Sequence, residues 1–248
     1  MSRRRGRSLV RAVGALSCAC ACVHPGAGEG RRPFVPEGYS LVYAEDFGQP
    51  GSLEGWVFSD GSDWRWSGEG GVGSLELVGG GAFTPPHRSP RHIALIEDLW
   101  LSDFVLEVDL LQTGRQYGHR DLCLFFGFVS PTRYYYCHLA PAPDERAHNA
   151  FLVHDAPRRN LAGVMDAGVE WGEGVWHRVR LERSAADGAI RVFFDDSEEP
   201  TITASDASLS WGRVGFGSFD DTGRVGRVRI WAPEERAPAS GSLGNWHR

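Results

Sequence analysis

The sequence contains no lysine; all 26 of its Lys+Arg positions are arginine. That absence excludes any mechanism built on a lysine Schiff base or a lysine nucleophile. Cysteine is scarce as well. Of the five cysteines, Cys18, Cys20 and Cys22 lie near the N-terminus, so the body of the chain keeps only Cys123 and Cys137. No CxxC pair with metal spacing exists, which argues against a structural zinc site. From Phe34 onward no long helical period appears either.

What is present is acidity, glycine and tryptophan. The formal charge of the 248-residue chain is −6. Residues 1–27 carry Arg3, Arg4, Arg5, Arg7 and Arg11 and no acid, so the remainder has 21 basic against 32 acidic residues, about −11. An acidic domain lacks the basic footprint that nucleic-acid binding needs. The arginine-rich start is followed by a short apolar stretch of small residues, the pattern of an export signal and too short for a spanning helix. We therefore expect residues 1–27 to be an export signal and the protein to be extracytoplasmic, with no transmembrane helix after processing. Ala15-Leu16-Ser17-Cys18 is close to a lipobox, so lipid attachment and free secretion both stay open.

Between Phe34 and Trp231 the chain reads as short alternating strands broken by Gly, Pro, Asp and Ser. Ten segments stand out: Ser40–Ala44, Ser74–Val78, Phe104–Leu110, Leu122–Phe128, Tyr134–Leu139, Ala150–Val153, Trp176–Glu182, Ile190–Phe194, Gly212–Gly217 and Val225–Trp231. Strands at roughly 8–12-residue spacing predict an all-β, two-sheet antiparallel sandwich. One domain over 33–232 suffices, with 233–248 as a flexible tail. Gly68-Glu-Gly-Gly-Val-Gly73 matches GxGxxG but opens no helix, so it does not predict a dinucleotide site.

Several ordered blocks carry a resemblance. They are Asp46-Phe47, Leu53-Glu-Gly-Trp56, Asp103-Phe-Val-Leu-Glu-Val-Asp109, Gly174-Val-Trp-His-Arg-Val-Arg-Leu-Glu182, Gly188-Ala-Ile-Arg-Val-Phe-Phe-Asp-Asp196 and Trp211-Gly-Arg-Val-Gly-Phe-Gly-Ser218. In this order they resemble the concanavalin A-like lectin/glucanase superfamily, in particular secreted bacterial domains of the laminin G-like and 3-keto-disaccharide hydrolase type. The resemblance implies a jelly roll whose concave face holds sugar in many members. The superfamily also contains hydrolases, lyases and adhesive or structural modules, so fold alone does not select among them.

Strand alternation gives each segment two faces. Leu122, Leu124, Phe126 and Phe128 form one list, and Tyr135, Cys137 and Leu139 form its match across the hairpin. Core opposing core puts Leu124 opposite Cys137. Cys123 and Cys137 then point to opposite faces, which opposes a disulfide, whereas export favours one. In the preceding strand Phe104, Leu106, Val108 and Leu110 face the core. The link from Gln112 to Gly118 returns the chain antiparallel, so Asp109 is expected near Asp121. One outward surface then collects Glu107, Asp109, His119, Asp121, Tyr134, Tyr136 and His138. Acids, histidines and aromatic rings are what a saccharide groove uses, so an oligo- or polysaccharide is the expected partner. The same polar alternation also suits a plain wet sheet face.

The candidate catalytic set is His119, Asp121, Tyr136 and His138, for a lyase or hydrolase. Arg88, Glu107, Asp109, Arg120, Tyr134, His148 and Arg158 are the substrate-binding candidates. Glu107-Val-Asp109-Leu-Leu-Gln112 nearly spells the glucanase ExDxxE motif, but Gln112 cannot serve as the second carboxyl of a retaining pair. No cofactor is demanded by these residues. Asp46, Asp220 and Asp221 could supply oxygens to a structural calcium, as the fold resemblance implies.

Overall fold

A computed structural model describes residues 35–68, 73–165 and 167–234. The expected export signal (with Cys18, Cys20 and Cys22), most of the GxGxxG-like stretch and nearly all of the expected tail lie outside the described residues. All the extended segments are strands of two antiparallel sheets. Among the described residues no helix is long and apolar enough to cross a membrane.

The nine-stranded sheet contains β1 (Tyr39–Glu45), β3 (Trp64–Ser67), β4 (Ser74–Leu77), β6 (Phe104–Gln112) and β11 (Ala162–Met165). Its other members are β12 (Trp176–Arg183), β13 (Ala189–Phe194), β14 (Ile202–Ser205) and β16 (Gly223–Pro233). The seven-stranded sheet contains β2 (Trp56–Phe58), β5 (His92–Leu101), β7 (Leu122–Ser130), β8 (Arg133–Leu139), β9 (Asn149–His154), β10 (Arg159–Asn160) and β15 (Gly212–Ser218). The first sheet runs β11-β14-β13-β12-β6-β16-β4-β3, with β1 also on β16; the second runs β10-β9-β8-β7-β15-β5-β2.

The inner faces meet in one apolar core. Leu106, Val108 and Leu110 of β6, Val179 and Leu181 of β12, and Val228 and Ile230 of β16 pack against Leu124 and Phe126 of β7 and Tyr135, Cys137 and Leu139 of β8. Buried and partly exposed residues alternate along β12 and, apart from a register shift between Val225 and Val228, along β16, because a sheet with one dry face needs only every second residue apolar. Arg183 is the one buried arginine of these strands.

The central hairpin has the register that its apolar pattern demands: Leu124 pairs with Cys137, and Cys123 with His138. The cysteines therefore lie on opposite faces of the sheet, and both are free thiols. Phe128 is a correction. Gly127 takes φ 55° and the register shifts after Phe126, so the bulge turns Phe128 away from the core face expected for it.

The second correction is topological. β6 and β7 are not neighbours: β6 pairs with β12 and β16, whereas β7 pairs with β8 and β15. The link from Thr113 to Asp121 crosses from one sheet to the other, so Glu107 and Asp109 stand on the opposite side of the sandwich from the β7–β8 outer face. Alternation specifies a strand's two faces but not the sheet that receives it.

Candidate functional site

The outer face of the seven-stranded sheet carries Cys123, Phe125, Phe128, Tyr134, Tyr136, Phe151, Val153, Ile93 and Leu95 as a second buried apolar cluster. Tyr136 stacks on Phe151 at 4.9 Å and Tyr134 on Phe128 at 4.8 Å. Phe83 and Phe219 pack over this layer from loops. The Arg158 guanidinium completes the cover, lying 4.5 Å from the Phe151 ring and 4.9 Å from that of Phe219 while donating to Tyr136 Oη (2.8 Å). Tyr134 donates its hydroxyl to Ser89 (2.6 Å). Both tyrosines are fully buried, with phenol pKa values raised by burial. The expected wet groove is thus a dry layer, because loops distant in sequence fold down over it.

Two polar groups sit inside this layer. Asp121 is 1% exposed and His138 3%. Asp121 accepts hydrogen bonds from Ser218 Oγ (2.9 Å), the Phe219 amide (3.2 Å) and the Cys123 thiol (3.1 Å). Burial, with repulsion from Asp221, raises its carboxyl well above the ordinary range despite those donors. His138 Nδ1 accepts the His148 amide (3.3 Å), so the proton of the neutral ring belongs on Nε2, 3.7 Å from Asp121. Burial and the nearby Arg158 charge lower the His138 pKa to about 3. An acid and an imidazole held neutral and sealed from solvent can specify packing, but no glycosidic bond can reach them for proton transfer.

The remaining predicted residues disperse. His119 is exposed and bonded to Asp144 (2.8 Å) at the rim. Arg88 is exposed on the loop before β5. His148 is buried, its Nδ1 accepting the Ala140 amide (3.4 Å) and its Nε2 lying 2.9 Å from Thr201 Oγ1, a structural pairing. Asp109 is held by Arg227 (3.1 Å) and Arg178 (3.6 Å) on the outer face of the other sheet. Beside it Glu107 has a raised pKa because burial outweighs the attraction of Arg178, Arg180 and Arg227. Gln112 ends the same strand with its Oε1 accepting the Gly114 amide (2.6 Å). The glucanase-like spacing therefore assembles no carboxyl pair.

The calcium set does not converge either. Asp46 is clamped by Arg229 (2.7 and 2.8 Å), and Asp220 by Arg91 (2.9 Å). Asp221 accepts from the Tyr117 hydroxyl (2.7 Å) and the Asp121 amide (2.9 Å). Among the described residues no three His, Cys, Asp or Glu side chains are grouped to hold a metal ion. Arginines hold two of these three carboxylates, Asp46 and Asp220.

One predicted residue does line open space. A cavity of about 370 Å3 lies at one end of the sandwich, bounded by the segment Gln112–Gln116, Arg120 and the turn Gly172-Glu173-Gly174. Gly172 (φ 60°) and Gly174 (φ 65°) adopt the left-handed backbone that favours glycine, so this wall is main chain. Arg120 donates to the Gly172 carbonyl (2.6 Å), and Gln116 to Glu173 (2.7 Å). Sequence reasoning overlooked this cavity. The glycine-flanked Trp171-Gly-Glu-Gly174 turn was the available signal.

No protein-family model matches the chain, and no curated protein resembles it in sequence. Solved structures do share its fold. Domain 4 of AbnA, a GH43 extracellular arabinanase from Geobacillus stearothermophilus solved with arabinotriose, aligns at TM-score 0.51 and 10% identity, over 79% of this chain and 94% of that one. The exoplasmic/lumenal domain of VIP36, in its Ca2+/Man3GlcNAc-bound form, aligns at TM-score 0.52 and 11% identity, over 84% and 96%. The GH43 protein BlXynB from Bacillus licheniformis aligns at TM-score 0.52 and 13% identity over 76% of this chain, which spans 39% of the BlXynB chain. What these structures share with the chain is the fold, a two-sheet antiparallel β-sandwich.

Proposed function

We propose that the chain is an exported glycan-binding jelly-roll module that takes saccharide at the end cavity and does not cleave it. The observation that carries this reading is the contrast in access. The candidate catalytic pair, Asp121 and His138, is sealed beneath Phe219, whereas the end cavity is open and polar. A few converging polar groups in a concavity of this size are the usual make-up of a small-ligand site. Two sandwiches of the same fold, AbnA domain 4 and VIP36, were solved with saccharide bound, which makes a sugar the first ligand class to try.

The test is retention of the purified secreted protein on a glycan array, with affinity electrophoresis in the polymers that score. The expected result is retention without new reducing ends or unsaturated products. Retention that persists in Asp121→Asn protein separates binding from the buried acid. Turnover abolished by that substitution would restore the hydrolase or lyase reading. Absence of retention on every glycan would leave an adhesive or structural module.

A further inference from the structure

Arg120 is 4% exposed, yet among the described residues no carboxylate pairs with its guanidinium. Its side-chain partner is the Gly172 carbonyl at 2.6 Å. A guanidinium carries five N–H donors in a fixed fork, and burying that charge without a counter-ion is unfavourable. Asp63 is matched with His92 (2.8 Å), Asp109 with Arg227 (3.1 Å) and His177 with Asp195 (2.9 Å), whereas the buried Arg183 and Arg213, like Arg120, rest on backbone carbonyls; Arg120 lines the end cavity. His177 lies behind the same turn and is neutralised by its Asp195 partner. Its ring nitrogens contact the Trp171 carbonyl (2.8 Å) and the Asp195 carboxylate (2.9 Å), two acceptors that call for two ring protons. At the mouth Arg115 lies over the Tyr117 ring at 4.8 Å, a second guanidinium lining the same cavity.

The acids near the cavity are committed elsewhere. Glu173 at the rim accepts from Gln116 (2.7 Å), and Asp221 behind Gly114 accepts from Tyr117 (2.7 Å) and the Asp121 amide (2.9 Å). The space in front of Arg120 is therefore a concavity of about 370 Å3 with a buried cation on its wall and no anion on that cation.

We propose that this cavity selects a carboxylated saccharide, a uronic-acid residue whose carboxylate docks on Arg120 while its hydroxyls meet the Gln116 and Gly172–Gly174 rim. The proposal rests on the reading of the end cavity as a saccharide site. A planar carboxylate matches the arginine fork, accepting two parallel hydrogen bonds and supplying the missing charge. Glu173 is the competing anion, and displacing its influence sharpens the preference.

The experiment is a titration of the purified secreted protein, followed by NMR, with sodium glucuronate, its methyl ester and glucose. It is repeated on Arg120→Gln and on Glu173→Gln proteins, with an array carrying neutral and uronate-bearing polymers. The expected result is at least tenfold tighter binding of glucuronate than of glucose or the ester, with the preference erased in Arg120→Gln. Glu173→Gln, an exposed rim change that leaves the fold intact, raises glucuronate affinity severalfold and keeps the test informative should Arg120→Gln fail to fold. Equal binding of acid, ester and glucose, or a Glu173→Gln protein with no gain for the acid, overturns the uronate proposal and leaves the glycan-binding reading standing. Loss of retention on every polymer overturns both.

Discussion

The two outer faces of this sandwich solve the same problem in opposite ways. On the nine-stranded sheet the outward side chains form a grid of arginines and carboxylates. Arg65 and Arg224 hold Glu76, Arg178 and Arg227 hold Asp109, and Arg180 and Arg191 hold Glu182. On the seven-stranded sheet the corresponding positions are Phe125, Tyr134, Tyr136 and Phe151, buried by loops. One face is finished by a charged grid whose outer arginines reach solvent; the other is finished by a third apolar layer. Outward position on a strand is thus no measure of exposure, since a loop arriving from far along the chain decides it.

The difference implies a gradient of mutational cost. Phe151→Ala, which opens a void in the aromatic layer, should cost about 3–5 kcal/mol of unfolding free energy by denaturant titration. A cost near that of a surface truncation would mean that the layer is not packed as described.

Titration separates the faces next. His138 has its pKa lowered to about 3 from 6.5, so the unfolded chain takes up the proton first as pH falls. Wild-type protein should therefore lose stability relative to His138→Gln as pH drops below about 6.5, by at most about 1.4 kcal/mol per pH unit. Asp121 is shifted the other way by burial. Its contribution is complete below the unfolded carboxylate pKa of 3.8 and is lost as pH rises to its folded value of about 8, so wild type should lose ground to Asp121→Asn across that window. Melting curves across pH check both slopes, and parallel curves would place these groups in contact with water.

Smaller effects follow. Tyr136→Phe removes the acceptor of the Arg158 hydrogen bond and should cost about 1 kcal/mol, since half-buried Arg158 can turn to water. Arg191→Ala, from an exposed member of the charged grid, should cost less than about 0.5 kcal/mol and become silent in high salt. A larger loss there would mean that the grid contributes to stability as strongly as the aromatic layer.

Much of the sandwich was legible in the residues. Period-two alternation in Phe104–Leu110, Trp176–Glu182 and Val225–Trp231 marked strands with one dry face, and the hairpin register followed from Leu124 meeting Cys137. β5 was not legible, because His92–Leu101 is buried continuously in its first half and its register against β15 shifts, which erases alternation. The crossing after Gln112 was not legible either, since nothing local specifies the receiving sheet. Of the site, Arg120 was visible as a residue type. Its cavity was not, because backbone from a glycine turn more than fifty residues away forms the wall.

The back-to-back cysteines give the fold two clocks. Cys123 lies in the aromatic layer and Cys137 between the sheets, and burial keeps both thiols from ionising. Opening the loop cover alone would admit a thiol reagent to Cys123, while Cys137 waits for the sheets themselves to part. Local and global openings proceed at different free energies. The ratio of the two labelling rates in mild denaturant would therefore read how independently the outer layer breathes.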